Sequence, residues 1–128
     1  MDELEEIRKR KVAEMMDKMK YPDRPIELKD GNFDETIKKY PVVLVDFWSE
    51  RCPPCRFIAP VIEELAKELS GKVVLGKLDV DRNITTAMRF RIMGIPTLMI
   101  FKGGELVDQI VGAAPKEIIL ERLKKNLD

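Results

Sequence analysis

The chain contains only two cysteines, Cys52 and Cys55, and Pro53 and Pro54 separate them. Residues at this spacing lie on one face of a helix, so a thiolate at Cys52 can reach Cys55 and close an intramolecular disulfide. A disulfide between such close neighbours encloses a very short loop, removes little entropy from the unfolded chain and adds little stability. The spacing therefore favours redox chemistry over a structural crosslink.

A zinc site is the alternative use of a Cys-x-x-Cys pair. Structural zinc sites take most of their ligands from cysteine and histidine. This chain has no histidine and no second cysteine pair. A closed site would therefore need carboxylates or a second chain, and the sequence predicts no metal.

Length and charge limit the classes of partner. A chain of 128 residues fits one domain, whose core needs no metal or disulfide to hold it together. It carries 23 basic and 23 acidic residues, so its overall charge favours neither nucleic acid nor an anionic membrane as a partner. No segment approaches the roughly 20 apolar residues of a membrane span, and no signal-peptide pattern follows the acidic N-terminus. We therefore expect a cytoplasmic protein.

The pattern divides the chain into an N-terminal helical extension with a linker, residues 1–25, and a domain of residues 26–128. Residues 2 to about 20 predict an amphipathic helix, which Pro22 and Pro25 end. We expect its apolar stripe to cover an edge of the main domain; a partner-binding stripe is the alternative. The members of the stripe are Leu4, Ile7, Val12, Met15, Met16 and Met19.

From residue 26 onward the pattern alternates strand and helix. Strands are predicted at 26–28, 42–48, 73–80, 97–101 and 105–111, and helices at 32–39, 52–69, 83–90 and 115–127. Asn32 and Asn83 are predicted to cap two of these helices, and the glycines at 103–104 to form a hairpin turn. This order predicts an open, mixed α/β sheet of about five strands with helices on both faces. The cysteines fall at the carboxyl end of a strand, where chemistry in such folds gathers.

The segment Val45-Asp46-Phe47-Trp48-Ser49-Glu50-Arg51-Cys52-Pro53-Pro54-Cys55-Arg56 resembles the active-site segment of the thioredoxin family. The similarity continues through Ala59-Pro60, residues 76–81, residues 94–98 and residues 111–113, and covers about residues 26–127 in collinear order. It implies the thioredoxin fold and a protein-disulfide reductase activity. It also implies a disulfide reductase as electron donor, protein disulfides as substrates, and no bound cofactor, because the electrons travel in the sulfurs. We expect a monomer.

Two other functions use the same fold. A disulfide oxidase or isomerase has the same parts and differs in reduction potential. A non-catalytic binding module would hold a partner through the thioredoxin-like surface, with the redox activity incidental.

Each cysteine has a predicted role. A helix N-terminus favours a thiolate, so Cys52 is predicted to be the nucleophile, and Arg51 and Arg56 add positive charge near it. Cys55, one turn inside the helix, is predicted to be the resolving thiol that attacks the mixed disulfide.

Asp46 is a carboxylate in an otherwise apolar strand. Burial would raise its pKa and suit it to accept a proton from Cys55, directly or through a water. An aspartate at the strand end with an ion pair or solvent is the alternative. The resemblance implies the buried catalytic role, with Lys77 on the adjacent strand as charge partner, although Lys77 also suits a surface position.

The remaining predicted site residues concern the substrate. Pro96 suits the first position of a strand, and the resemblance implies a cis peptide bond between Ile95 and Pro96, with an ordinary trans proline as the alternative. It also implies that the Ile95 backbone pairs with an extended substrate segment. Trp48 also fits a simple core position. The predicted apolar rim of the substrate groove comprises Trp48, Ile95, Gly112 and Ala113, beside Pro53 and Pro54.

Three residues depart from the usual thioredoxin pattern. Pro53 replaces a glycine, Arg51 a tryptophan and Met93 an arginine. Pro53 restricts the backbone of the motif, so we expect a changed reduction potential of either sign. Arg51 predicts a preference for substrates with acidic residues near their disulfide.

Overall fold

The computed structural model describes the backbone of residues 2–127 and the side chains of residues 2–12 and 21–127. Its order of helices and strands is the predicted one. In chain order they are α1 (Glu3–Lys20), β1 (Ile26–Leu28), α2 (Phe33–Lys39), β2 (Val42–Trp48), α3 (Pro53–Glu68), β3 (Val74–Asp79), α4 (Ile84–Arg89), β4 (Thr97–Lys102), β5 (Glu105–Val111) and α5 (Lys116–Lys125).

The strands form one mixed sheet in the order β1-β3-β2-β4-β5. β1, β3 and β2 run parallel, whereas β4 and β5 add as an antiparallel hairpin. The hairpin turns at Gly103 and Gly104, which both adopt the positive φ that glycine tolerates. β2 lies at the centre, and all of its residues except the half-buried Trp48 are buried. The predicted α/β architecture, with a central strand covered on both faces, is therefore confirmed.

The two faces of the sheet carry separate cores. On one face, β2 residues Val42 and Leu44 pack with the buried sides of α3 and α5. On the other face, Val43, Val45 and Phe47 pack with α2. This second core contains an aromatic group whose ring centroids are 5.4 to 6.3 Å apart and which comprises Phe33, Phe47, Phe90 and Phe101. Successive residues of β2 thus alternate between two layers.

The predicted helix caps were wrong in their hydrogen bonds. Asn32 and Asn83 occupy the N-cap positions of α2 and α4, but neither side chain caps its helix. Asn32 Oδ1 accepts from the Lys29 N–H at 2.7 Å, and Asn83 Oδ1 accepts from the Asp30 N–H at 3.0 Å. The Thr86 N–H in the first turn of α4 donates instead to Asp30 Oδ1 at 2.9 Å. A carboxylate brought in by the fold therefore replaces the local cap.

The N-terminal extension is described in part. Leu4 and Val12 of α1 are exposed, and Ile7 is half-buried. After the helix, the Tyr21 ring packs edge-on against Tyr40 at a centroid distance of 5.3 Å. The predicted packing of Met15, Met16 and Met19 concerns side chains outside the described set. The division at residue 25 stays a prediction. None of the helices within residues 2–127 is both long and apolar enough to span a membrane.

The aromatic core makes a prediction about stability. Phe33 is 1% exposed and contacts three other phenylalanine rings. We expect Phe33→Ala to lower the free energy of unfolding by about 3 to 5 kcal/mol, because it removes the buried ring and leaves a cavity. Phe57→Ala is the matched control: Phe57 is 81% exposed. Its loss should change stability by no more than about 0.5 kcal/mol. Urea unfolding of the oxidised proteins measures both, and equal losses would contradict this packing.

Candidate active site

Cys52 and Cys55 form a disulfide at the start of α3. Cys52 is the N-cap residue, with φ −110° and ψ 102°, and Pro53 and Pro54 fill the first two helical positions. Proline is tolerated there because those amide hydrogens would have no partner within the helix. Since neither proline has an N–H, the first amide donor of α3 belongs to Cys55. That N–H donates to Cys52 Sγ at 3.2 Å, so the helix N-terminus is aimed at this sulfur.

Hydrogen bonds hold the turn that leads from β2 to Cys52. Ser49 Oγ donates to Asp81 Oδ2 at 2.9 Å and accepts from the Arg51 N–H at 3.3 Å. The Arg56 guanidinium donates to the Glu50 carbonyl through Nε at 3.3 Å and Nη2 at 2.8 Å. These contacts fix the backbone on both sides of Arg51 and thus the position of Cys52.

Sequence reasoning missed Ser49 and Asp81 as residues of the site. The available signal was the place of Asp81, two residues beyond the end of β3. β2 and β3 are parallel neighbours, so their carboxyl ends, and the residues that follow them, meet at one edge of the sheet. The motif around the cysteines carries no trace of this pairing.

The disulfide lies against the loop that precedes β4. Cys52 is 7% exposed and Cys55 3%, and Cys52 Sγ lies 3.7 Å from the Ile95 carbonyl oxygen. The Ile95–Pro96 peptide bond is cis, as predicted. The Gly112 N–H donates to the Pro96 carbonyl at 2.8 Å, which joins this loop to the end of β5. Gly112 adopts φ +95°, a conformation that favours glycine.

The predicted rim residues belong to several elements of the fold. Trp48 and Ile95 are half-buried, whereas Ala113, Pro53 and Pro54 are exposed. They come from the end of β2, the start of α3, the loop before β4 and the segment after β5, and their grouping into one substrate rim stays a prediction.

Asp46 is 1% exposed and lies in the layer beneath α3. It follows Leu44 by two residues along β2 and therefore shares its face of the sheet, and the Leu44 side chain belongs to the core that includes Ile58 and Ile62 of α3. In register, it lies between Leu98 of β4 and Lys77 of β3. Neither carboxylate oxygen has a hydrogen-bond partner among the described residues. Burial raises the pKa of Asp46 to about 7, although the positive charge of Lys77 acts in the opposite direction.

Lys77 acts on Asp46 through space. Its ammonium nitrogen stands 4.6 Å from the centroid of the Trp48 ring, a cation–π contact, and makes no hydrogen bond to Asp46. An open cleft of about 510 Å³ lies beside Lys77 and Trp48, which line it together with Asp79 and others.

Within the part of the chain whose side chains are described, no group of three or more His, Cys, Asp or Glu residues could hold a metal ion.

The thioredoxin family model matches residues 24–125 of this chain. The chain belongs to the thioredoxin family. It is a thiol-disulfide oxidoreductase. Membership of this family implies, in general, protein disulfides as substrates and a reductase as electron donor. The family match begins after α1, so the N-terminal helix lies outside it.

Curated and solved thioredoxins are similar to the same part of the chain. The thioredoxin of Staphylococcus haemolyticus is 53% identical over 102 residues, which cover 80% of this chain and 97% of that protein. The thioredoxin of Staphylococcus saprophyticus is 51% identical over the same shares. The solved structure of a mutant thioredoxin from Halobacterium salinarum NRC-1 is 30% identical and superimposes with a TM-score of 0.79. It aligns with 84% of this chain and 95% of that one.

The raised pKa of Asp46 predicts how stability depends on pH. The unfolded chain ionises near the ordinary value of 3.8, whereas the folded protein holds the proton up to about 7. The free energy of unfolding therefore falls as the pH rises from about 3.8 to about 7, and the contribution of Asp46 is constant above that range. Asp46→Asn mimics the protonated acid. Its free energy of unfolding should be close to that of the unsubstituted protein near pH 4 and higher by roughly 4 kcal/mol at pH 8.

Urea unfolding of the oxidised proteins from pH 4 to pH 8 measures this difference. Glu35→Gln is the control, since Glu35 is exposed on α2 and its loss should leave the pH dependence unchanged. A constant difference between Asp46→Asn and the unsubstituted protein across the range would contradict the raised pKa.

Proposed function

We propose that this chain is a protein-disulfide reductase in which Cys52 is the nucleophile and Cys55 the resolving thiol. The Cys52 thiolate attacks one sulfur of a substrate disulfide, that S–S bond breaks, and the leaving sulfur takes up a proton. Cys55 then attacks Cys52 Sγ, which frees the second substrate thiol and closes the Cys52–Cys55 disulfide. Two electrons and two protons supplied through a disulfide reductase restore the dithiol.

One observation carries the assignment of the nucleophile: the Cys55 N–H points at Cys52 Sγ from 3.2 Å. A hydrogen bond to the charged form favours that form, and the positive end of the helix dipole acts in the same direction. Cys55 lies inside the first turn and is the more buried of the two sulfurs. A substrate sulfur therefore meets Cys52 first.

Asp46 supports the resolving step. Disulfide exchange needs the thiolate of Cys55, and a base works best when its pKa lies near the working pH. A pKa of about 7 meets that condition, and the side chain points into the layer that α3 covers. We assign Asp46 as proton acceptor for Cys55, and Lys77 as the charge that keeps the pKa of Asp46 from rising further.

The rim around the disulfide supports binding of an extended peptide. The Ile95 carbonyl lies 3.7 Å from Cys52 Sγ, so a strand that runs along this loop brings its own sulfur to Cys52. The exposed or half-buried residues Trp48, Pro53, Pro54, Gly112 and Ala113 would contact its side chains. The monomeric state and the cytoplasmic location stay predictions.

Substitution of each cysteine tests the order of attack. Cys55→Ser should accumulate a covalent mixed disulfide between Cys52 and the substrate, because nothing resolves it. Cys52→Ser should form no such adduct and should not reduce insulin. Non-reducing electrophoresis with mass spectrometry of the adduct measures both. An adduct through Cys55 in the Cys52→Ser protein, at the rate seen for Cys55→Ser, would reverse the assignment.

The charges beside the disulfide predict a preference among substrates. Arg51 is exposed next to Cys52, and the carboxylate of Glu50 on its other side lies 3.5 Å from Arg82. We expect peptide disulfides with flanking acidic residues to be reduced about three-fold faster than basic ones at low salt, because opposite charges speed association. Arg51→Glu should reverse this order, and Arg24→Glu, an exposed position in the linker before β1, should not. Equal rates for acidic and basic peptides would exclude the preference.

A further inference from the structure

The exposed side of α3 is mainly apolar in its first two turns and charged in its last two. The side toward the sheet is buried throughout and includes Cys55, Ile58, Ile62 and Leu65. In the last two turns the exposed positions are charged, at Glu63, Glu64, Lys67 and Glu68. In the first two turns the exposed residues are apolar except for Arg56, whose guanidinium donates to the Glu50 carbonyl. Among the apolar ones, Pro53, Phe57 and Pro60 follow one another at helical spacing. The apolar part of the surface coincides with the turns that carry the disulfide.

Phe57 contributes little buried surface to the core. It is 81% exposed, whereas Phe33, Phe47 and Phe101 are at most 1% exposed. Within the described part of the chain, it takes part in no ring–ring or cation–π contact. A single exposed apolar residue needs no explanation, but a phenylalanine between two exposed prolines forms a continuous apolar ridge.

The ridge continues from the redox centre. Pro53 follows Cys52 directly, and the helical rise puts Phe57 about 6 Å further along the axis. Because Cys52 is only 7% exposed, a protein that delivers a sulfur to it must press closely against the surrounding surface. Proline and phenylalanine lose little side-chain entropy when a partner covers them, which suits them to binding.

We propose that Pro53, Phe57 and Pro60 form a docking ridge for protein substrates, in addition to the groove at Ile95 and Pro96. The ridge takes an aromatic or aliphatic side chain that lies within a few residues of the substrate disulfide. This inference rests on the proposed reductase function and names a feature of its substrates.

Docking can be separated from the sulfur chemistry by comparing, for each variant, the rate of reduction of a protein disulfide with that of a small disulfide. Insulin has aromatic and aliphatic side chains near its disulfides, whereas oxidised glutathione consists of glutamate, cysteine and glycine and has no apolar side chain for the ridge to hold. With dithiothreitol as electron donor, no reductase enzyme is present and any effect belongs to the substrate. We expect Phe57→Ser to lower kcat/KM for insulin about five-fold, with Phe57→Leu retaining most of the activity, since the loss is one of apolar contact. The rate with oxidised glutathione should stay within about two-fold, because the sulfur chemistry is untouched.

Leu106→Ser is the matched control, because Leu106 is exposed on β5 at the end away from Gly112. It should leave both rates unchanged. An unchanged kcat/KM for insulin in Phe57→Ser overturns the ridge alone, as does an equal fall with both disulfides, which would indicate altered cysteine reactivity. An unsubstituted protein that reduces neither disulfide overturns the reductase function and the ridge with it.

Discussion

The hydrogen bond from the Cys55 N–H to Cys52 Sγ is the contact on which the active site depends. A helix begins with amide groups that have no partner inside it, and here two prolines remove the donors that would otherwise come first. The amide that remains is directed at one sulfur. The neighbouring elements set this geometry. β2 ends at Trp48, hydrogen bonds of Ser49 and Arg56 fix the following turn, and α3 starts with the Cys52 sulfur at its N-cap.

Burial of Asp46 works against stability. The side chain lies in the central strand and has no hydrogen-bond partner in the described structure, so its ionisation is penalised and its pKa rises. A protein selected for stability alone would place an apolar residue in this layer, as it does at Val42 and Leu44. Perturbed titrations of this kind concentrate at functional sites. The charge of Lys77 moderates the effect without an ion pair, since its ammonium lies over the Trp48 ring.

α3 connects the redox centre to the body of the protein. Its buried side packs on the sheet, and its second half is fastened to α5 by ion pairs from Lys116 to Glu64 and Glu68. On the outward side of the first half, Pro53, Phe57 and Pro60 are exposed, and the charge of Arg56 is directed back to the Glu50 carbonyl. Each half thus matches its surroundings: charge where the helix meets solvent and α5, apolar surface where a substrate must approach a nearly buried sulfur.

Features that depend on near neighbours along the chain can be predicted from the sequence. The apolar run of β2 and the hairpin glycines follow from local periodicity and backbone preference, and the cysteine spacing determined the disulfide. The identity of the distant partners follows only from the folded protein. Asp30 caps α4 in place of Asn83, and Asp81 accepts a hydrogen bond from the Ser49 hydroxyl. These contacts join segments that meet only because β1, β3 and β2 align in parallel, and local sequence carries no record of which polar groups such an alignment brings within hydrogen-bonding distance.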